Sequence, residues 1–252
     1  VSTLAISSPD AMLDADLQPV TLSHAEPFAI GGRRLCFVHP RNPSLCIKVN
    51  RTDDQRFLRL PKRRIVPARF LRELDDNEHD RRVLSSLQRR LGPRFAHLPR
   101  YHGDIDTDLG RAVVLDLVRD ADGRISRTVR ALICEGVPLD ALRPAFNAFA
   151  QYLVRYNVLT RALLDHNIAA RHAADGSWSL VLIDGYGDPA AIPLASLVPP
   201  IGRARMRRRA VDAWERFERL ASADPSEREF DTSRWSQGFL NHRGVDPSNT
   251  ND

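Results

Sequence analysis

The sequence predicts an α+β fold with a sheet-rich N-terminal part and a mainly helical C-terminal part. Three observations predict it. Two short β-rich runs near the start are joined by a turn-rich linker, a second strand pair follows one amphipathic helix, and helical periodicity dominates the later chain apart from one short hairpin. At 252 residues with 42% hydrophobic residues, the chain can bury one substantial core, as one large domain or two small lobes. A ligand cleft is expected between the two parts, where such sites often lie.

The elements follow in order. Residues 1–22 are small, polar and acidic and are expected to form a flexible N-terminal segment; residues 223–252, poor in periodic apolar positions, are expected to form a disordered tail. Phe28-Ala29-Ile30 leads into Gly31-Gly32. Leu35–Val38 and Leu45–Val49, joined by H-P-R-N-P-S, then read as a hairpin. Residues 50–70 are Arg-rich and carry Pro61 and Pro67, which marks a loop. A helix from about Arg69 to Leu91 places Leu84, Leu87 and Leu91 on one face and stops at Gly92-Pro93. D-I-D-T-D-L-G and R-A-V-V-L-D-L-V form the next strand pair, turning at Asp108-Leu109-Gly110. The sheet-rich part is thus expected over 23–120 and the helical part over 121–222. In the second part a helix from Pro144 to Tyr156 aligns Phe146, Phe149, Leu153 and Val154. Asp175-Gly176 turns a hairpin that ends in Leu180–Ile183, and a basic helix from Gly202 onward carries Val211, Trp214, Phe217 and Leu220 as its stripe.

The formal charge of +5 and the pI near 9.5 come almost wholly from arginine spread among Asp and Glu. No binding module or aromatic-interleaved basic stripe accompanies them, which argues against a nucleic-acid partner. Cys36, Cys46 and Cys134 lack paired spacing, so neither a disulfide framework nor a zinc site is expected, and a reducing cytoplasmic location fits. The first residues lack the basic start and apolar core of a signal peptide, and no run approaches the roughly 18 apolar residues of a membrane span.

The segment V-L-T-R-A-L-L-D-H-N-I, followed by L-V-L-I-D-G-Y-G, carries most of the chemistry. Phosphoryl transfer of the protein-kinase type uses an Asn and an Asp on metal ions, and a second Asp five residues before the Asn as proton acceptor. Asn167 and Asp184 fill the metal positions, whereas Ala162 stands at the base position. Asp165, three residues downstream, is the nearest substitute acid. Asp184 follows an apolar strand and precedes Gly185-Tyr186-Gly187, a good geometry for Mg²⁺. An ordinary Asp-Gly turn is the alternative. His166 and His172 lack a third ligand at metal spacing and read as loop residues.

Lys48 and Lys62 are the lysines of an otherwise arginine-based chain. A compact ammonium retained in a strand suits nucleotide phosphates, against the alternative of an edge lysine reaching solvent. Gly31 and Gly32 could bring backbone amides to phosphates, although two adjacent glycines also make an ordinary turn. Glu73, Glu78 and Asp80 could each pair with Lys48. Asp80 is favoured because it falls beside the Leu84 and Leu87 face, while acids on an Arg-rich helix otherwise serve as surface i,i+4 partners.

Across residues 26–220 the chain resembles the YrbL family, the PhoP regulatory network proteins of bacteria, distant relatives of protein kinases. The likeness lies in G-G-R-R-L-C-F-V-H-P closing on C-I-K-V, in L-Q-R-R-L, in L-P-R-Y-H-G-D-I-D-T-D-L-G, in V-V-L-D-L-V-R-D-A-D-G and in Trp214-Glu215-Arg216-Phe217. The resemblance implies a two-lobed protein-kinase-like fold, with Lys48 as the phosphate-binding strand lysine, Asp80 as its helix partner, Asp116 near the hinge, and Asn167 and Asp184 as metal ligands. ATP and Mg²⁺ are the implied ligands. Ala162 departs from the kinase pattern, so a regulatory nucleotide binder with weak or absent phosphotransfer is the leading expectation. The alternatives are an active kinase using Asp165 or no base, and an interaction module that binds a protein partner through the Arg-rich helix at 202–220.

Overall fold

The computed structural model describes residues 15–31, 33–51, 75–161, 163–188, 195 and 198–224. Five strands form one antiparallel sheet: β1 (Ala29–Ile30), β2 (Arg34–Val38), β3 (Leu45–Asn50), β4 (Tyr101–Thr107) and β5 (Gly110–Asp116), in the order β1-β2-β3-β5-β4. Both expected hairpins are present. His39–Ser44 joins β2 to β3, and Asp108-Leu109 turns β4 into β5.

Strand alternation gives the sheet two different faces. Phe37, Leu45, Ile47, Val49, Ala112 and Val114 face one way and pack with Ile105. Val20 and Leu22 complete that cluster, and Val20 bridges to Thr107. The segment expected to be a flexible lead therefore contributes core residues from position 20, because the outer sheet face is apolar and needs a cover; residues 1–14 lie outside the described residues. On the other face, Val113 and Leu115 join a larger core shared with the helices, and Arg34, Cys36, Cys46 and Lys48 lie alongside.

Helix α1 (Asp76–Leu91) crosses that second face and buries Leu84, Leu87 and Leu91. It starts later than about Arg69. Asp75 is extended and caps the helix by accepting hydrogen bonds from the Asn77 and Glu78 amides, which fixes the first turn; residues 69–74 lie outside the described residues. Gly92, at φ 51°, ends the helix as Gly92-Pro93 predicts.

The helical part contains α2 (Val129–Cys134), α3 (Leu139–Arg155) and α4 (Pro199–Ser222), with a hairpin of β6 (Ile168–His172) and β7 (Trp178–Leu182) between α3 and α4. The short α2, capped by the Thr128 hydroxyl, is too brief to show periodicity in sequence. Helix α3 begins five residues before Pro144. Pro144 sits in the second turn, where its missing N–H removes only one early bond and the buried Leu142, Ala145, Phe146 and Phe149 hold the turn in place. Helix α4 starts at Pro199, and its buried stripe is Met206, Ala210, Ala213, Trp214 and Phe217, whereas Val211 is exposed. Phe146 seats between Trp214 and Phe217, at ring-centroid distances of 4.9 and 5.6 Å. Among the described residues no helix is long and apolar enough to cross a membrane.

Candidate functional site

Four expected site residues converge where the inner sheet face, α1 and the loop after β7 meet. Lys48 is buried on β3, and its Nζ donates to the Ile183 carbonyl at 2.6 Å. Its backbone carbonyl accepts from the Asn77 side chain of α1, so strand and helix are tied at the same point. Asp184 follows Ile183. The Ile183 amide in turn donates to the Asn167 carbonyl at 2.8 Å, which brings the ends of β6 and β7 together.

Asp80 does not pair with Lys48. Its partner is Arg34, whose Nη1 donates to Asp80 Oδ2 and whose Nη2 donates to Asp184 Oδ1 at 2.7 Å. One guanidinium thus links β2, α1 and the β7 loop, the fork geometry in which arginine outperforms lysine. Arg34 is only 5% exposed. Burial pushes the Asp80 carboxyl above the usual carboxylate range, against the opposing pull of Arg34. For Asp184 burial acts in the same direction, but Arg34, Lys48 and the Gly185 amide outweigh it and hold the carboxyl well below its usual range. Its side chain remains 44% exposed, so an ionised carboxylate stays partly open to solvent.

The glycines after Asp184 are required by geometry. Gly185 has φ 77° and Gly187 φ 89°, and a Cβ on Gly187 would lie 3.0 Å from His79 Nε2 and 3.2 Å from Val83 Cγ2. That close approach lets His79 on α1 bond to the Tyr186 carbonyl at 2.8 Å. Burial lowers the His79 pKa, so its neutral form is favoured. On the other side Thr160 and Arg161 donate to the Gly185 carbonyl, each at 2.7 Å, fixing the loop to the segment before Asn167.

The remaining expected residues are placed differently. Asp165 opens the 3₁₀ turn Asp165–Asn167, and its Oδ1 alone accepts from Arg130 Nε, the His166 amide and His166 Nδ1. Burial would raise its pKa, yet His166 and Arg130 win and lower it, which weakens it as a proton acceptor. The Asp116 carboxylate accepts from the Arg100 amide at 2.9 Å and from His102 at 2.7 Å, so it fastens β4 to β5. Gly31 donates its amide to the Arg34 carbonyl in a tight β1–β2 turn. Gly32, Ala162 and Glu73 lie outside the described residues, and Glu78 pairs with Arg81 on its own helix.

The chain segment leaving β5 joins two small apolar clusters. Leu117 packs with Ala29, Cys36 and Cys46, and the next residue, Val118, packs with Ala169 and Val181. The Cys36 thiol, hydrogen-bonded by Cys46 and near Lys48 and Arg34, is more acidic than an ordinary thiol despite its burial. A cavity of about 490 Å³ lies elsewhere, lined by Leu35, Val49 and Leu109 on the outer side of the sheet. Its one carboxylate, Asp108, is already engaged by the Leu22 and Ser23 amides, and none of the converging site residues lines the cavity.

An Asn–Asp pair could hold one divalent cation here. Asp184 offers an open carboxylate, and Asn167, nine-tenths buried and tied through its carbonyl to the residue before Asp184, has no side-chain hydrogen bond among the described residues. No group of three or more His, Cys, Asp or Glu side chains among the described residues is arranged to hold a metal. A cation at this point would therefore complete its shell with phosphate and water oxygens, as Mg²⁺ does in nucleotide sites.

Comparison with known proteins places the chain. The family described as PhoP regulatory network protein YrbL matches residues 20–220, most of the chain. The chain belongs to the YrbL family. It is 29% identical over 182 residues to the uncharacterized protein YrbL of Escherichia coli (strain K12), covering 70% of this chain and 78% of that one. The uncharacterized protein YrbL of Shigella flexneri matches with the same identity and coverage. The YrbL match begins at Val20, a buried residue of the sheet's outer core.

Arg34 is the site residue that sequence reasoning missed. A signal existed: in R-L-C-F-V, strand alternation puts Arg34 on the same face as Cys36 and, across the hairpin, Lys48. An arginine facing inward beside a buried lysine needs a carboxylate, and Asp80 and Asp184 were already candidates.

Proposed function

We propose that this YrbL-family chain is a kinase-like regulatory protein that binds a Mg²⁺–nucleotide complex in the cleft between sheet and helices, with weak or absent phosphotransfer. The observation that carries the reading is the Asp184 carboxylate. It is ionised, 44% exposed and flanked by two buried cations, Arg34 and Lys48, and the Asn167 carbonyl is bonded to the amide of the preceding residue, Ile183. The order of the elements supports it as well: a five-stranded antiparallel sheet with one helix between β3 and β4, then a helical part holding the Asn167 and Asp184 hairpin. The apolar residues around Leu117 and Val118 would offer a flat base its contacts, while Lys48 would face the phosphates.

Asp165 is a poor substitute base, because Arg130 and His166 already occupy its Oδ1 and lower its proton affinity. Loss of a positioned base costs about 10²–10⁴-fold in rate, which leaves binding as the dominant property. The Arg-rich helix is a weaker basis for function. Arg205 is spent on Asp188 and Arg216 on the Leu163 carbonyl, so part of its basic character is internal.

Titration with a fluorescent ATP analogue in the presence of Mg²⁺ tests the reading. Saturable binding that Lys48→Ala weakens at least about tenfold is expected, since a phosphate-facing cation contributes on the order of 1.4 kcal/mol or more. Binding unchanged in Lys48→Ala would remove that residue from the site.

A further inference from the structure

Arg34 raises a question that the nucleotide reading leaves open: what a guanidinium does between two carboxylates, one of which is meant for a cation. Its Nη2 sits 2.7 Å from Asp184 Oδ1, the same oxygen that accepts the Gly185 amide at 2.6 Å. Its Nη1 is hydrogen-bonded to Asp80, which is 1% exposed and so depends on Arg34 for its pairing. Lys48 Nζ lies on the adjoining Ile183 carbonyl. The two cations, Arg34 and Lys48, and the two carboxylates, Asp80 and Asp184, cancel. Asp76 also acts on Arg34 but is itself bridged to Arg33 and Arg161, so the guanidinium already supplies at Asp184 the positive charge that a bound cation would bring. A divalent cation on Asp184 would stand close to the guanidinium and be repelled by it, at short range and with little solvent between them.

We propose that Arg34 is a built-in counter-ion of Asp184 that competes with the divalent cation, so that Arg34 sets the metal affinity of the cleft. Cation binding is then coupled to loosening of the Arg34–Asp184 bond, and hence of the link between β2 and the loop after β7. The inference rests on the reading of Asp184 as the cation ligand. Arg34 tunes that ligand, and removing its positive side chain strengthens metal binding.

Mn²⁺ provides the probe, because its electron paramagnetic resonance signal reports free ion directly. The full chain is titrated without nucleotide as wild type, Arg34→Gln, the double variant Arg34→Gln/Asp80→Asn, and Asp184→Asn, each checked for folding by circular dichroism. The double variant replaces the buried ion pair with neutral amides of similar shape, so it reads the same question even where Arg34→Gln alone leaves Asp80 too costly to bury. The expected result is Mn²⁺ binding at least about tenfold tighter in the folded Arg34 variants than in wild type, the scale of a coupling between neighbouring charges, and lost in Asp184→Asn. Equal or weaker binding in the Arg34 variants, with wild type binding, would overturn the role of Arg34 and leave the cation reading standing. Absence of Mn²⁺ binding in every protein would remove the cation reading, and the inference with it.

Discussion

Asp184 and Asp165 flank the same β-hairpin, one after β7 and one before β6, and each accepts a hydrogen bond from an arginine. Their surroundings differ in origin and in openness. The arginine on Asp184 comes from β2 and is shared with Asp80 of α1, so the carboxylate is held by the sheet side of the molecule and yet stays 44% exposed. The arginine on Asp165 comes from α2, within the helical part, and the Asp165 side chain is only 12% exposed, with three donors on one oxygen. A carboxylate that is ionised and still open can take a ligand, whereas one whose acceptor oxygen is filled locally shapes a turn. The hairpin therefore carries an open carboxylate at one end and a locally filled one at the other, and Asp165, the acid nearest the expected base position, lies at the filled end.

The largest separation between the two nodes is expected in stability. Arg34→Ala leaves Asp80 buried without its partner and should cost about 3–5 kcal/mol, while Arg130→Ala leaves Asp165 its two donors from His166 and should cost less, about 1–2 kcal/mol. Urea unfolding of both variants measures the gap, and equal losses would erase the distinction. Gly187→Ala comes next. A left-handed residue pressed on His79 and Val83 should lose about 1–3 kcal/mol, read in the same way, and a neutral result would mean the α1 contact does not hold the Asp184 loop.

In binding, Asp184→Asn should weaken Mg²⁺–nucleotide affinity at least about tenfold, whereas Asp165→Asn should leave it within about twofold; calorimetric titration of each variant decides. The smallest effect is in pH. Burial depresses the pKa of His79, so its contribution to stability is present above the ordinary histidine pKa of about 6.5 and is lost as pH falls below it. Stability should fall on acidification below about pH 6.5, and His79→Asn should flatten that slope in unfolding curves taken across the range.

Much of this arrangement was legible in the sequence, for local reasons. The β2–β3 hairpin, the Asp108-Leu109 turn and the Gly92 helix stop are written in neighbouring residues, and so is the placement of Asp184 between an apolar strand and two glycines. Lys48 stood out through composition. What local pattern could not give was the pairing of Arg34, because its partners lie 46 and 150 residues away and the expected kinase-like pattern assigns that role to Lys48. Helix α2 is six residues long, too short for a period, and Pro144 read as a helix start although packing carries α3 through it. The cover supplied by Val20 and Leu22 was hidden by the polar residues around them.

The central claim is that the cleft binds Mg²⁺–ATP through Lys48 and Asp184, and the unfolding temperature of the full chain with and without Mg²⁺–ATP tests it most directly. The account predicts a rise corresponding to about 2.7 kcal/mol at 100 times the dissociation constant, absent in Lys48→Ala and in Asp184→Asn. An unfolding temperature that Mg²⁺–ATP leaves unchanged up to millimolar concentration would contradict it.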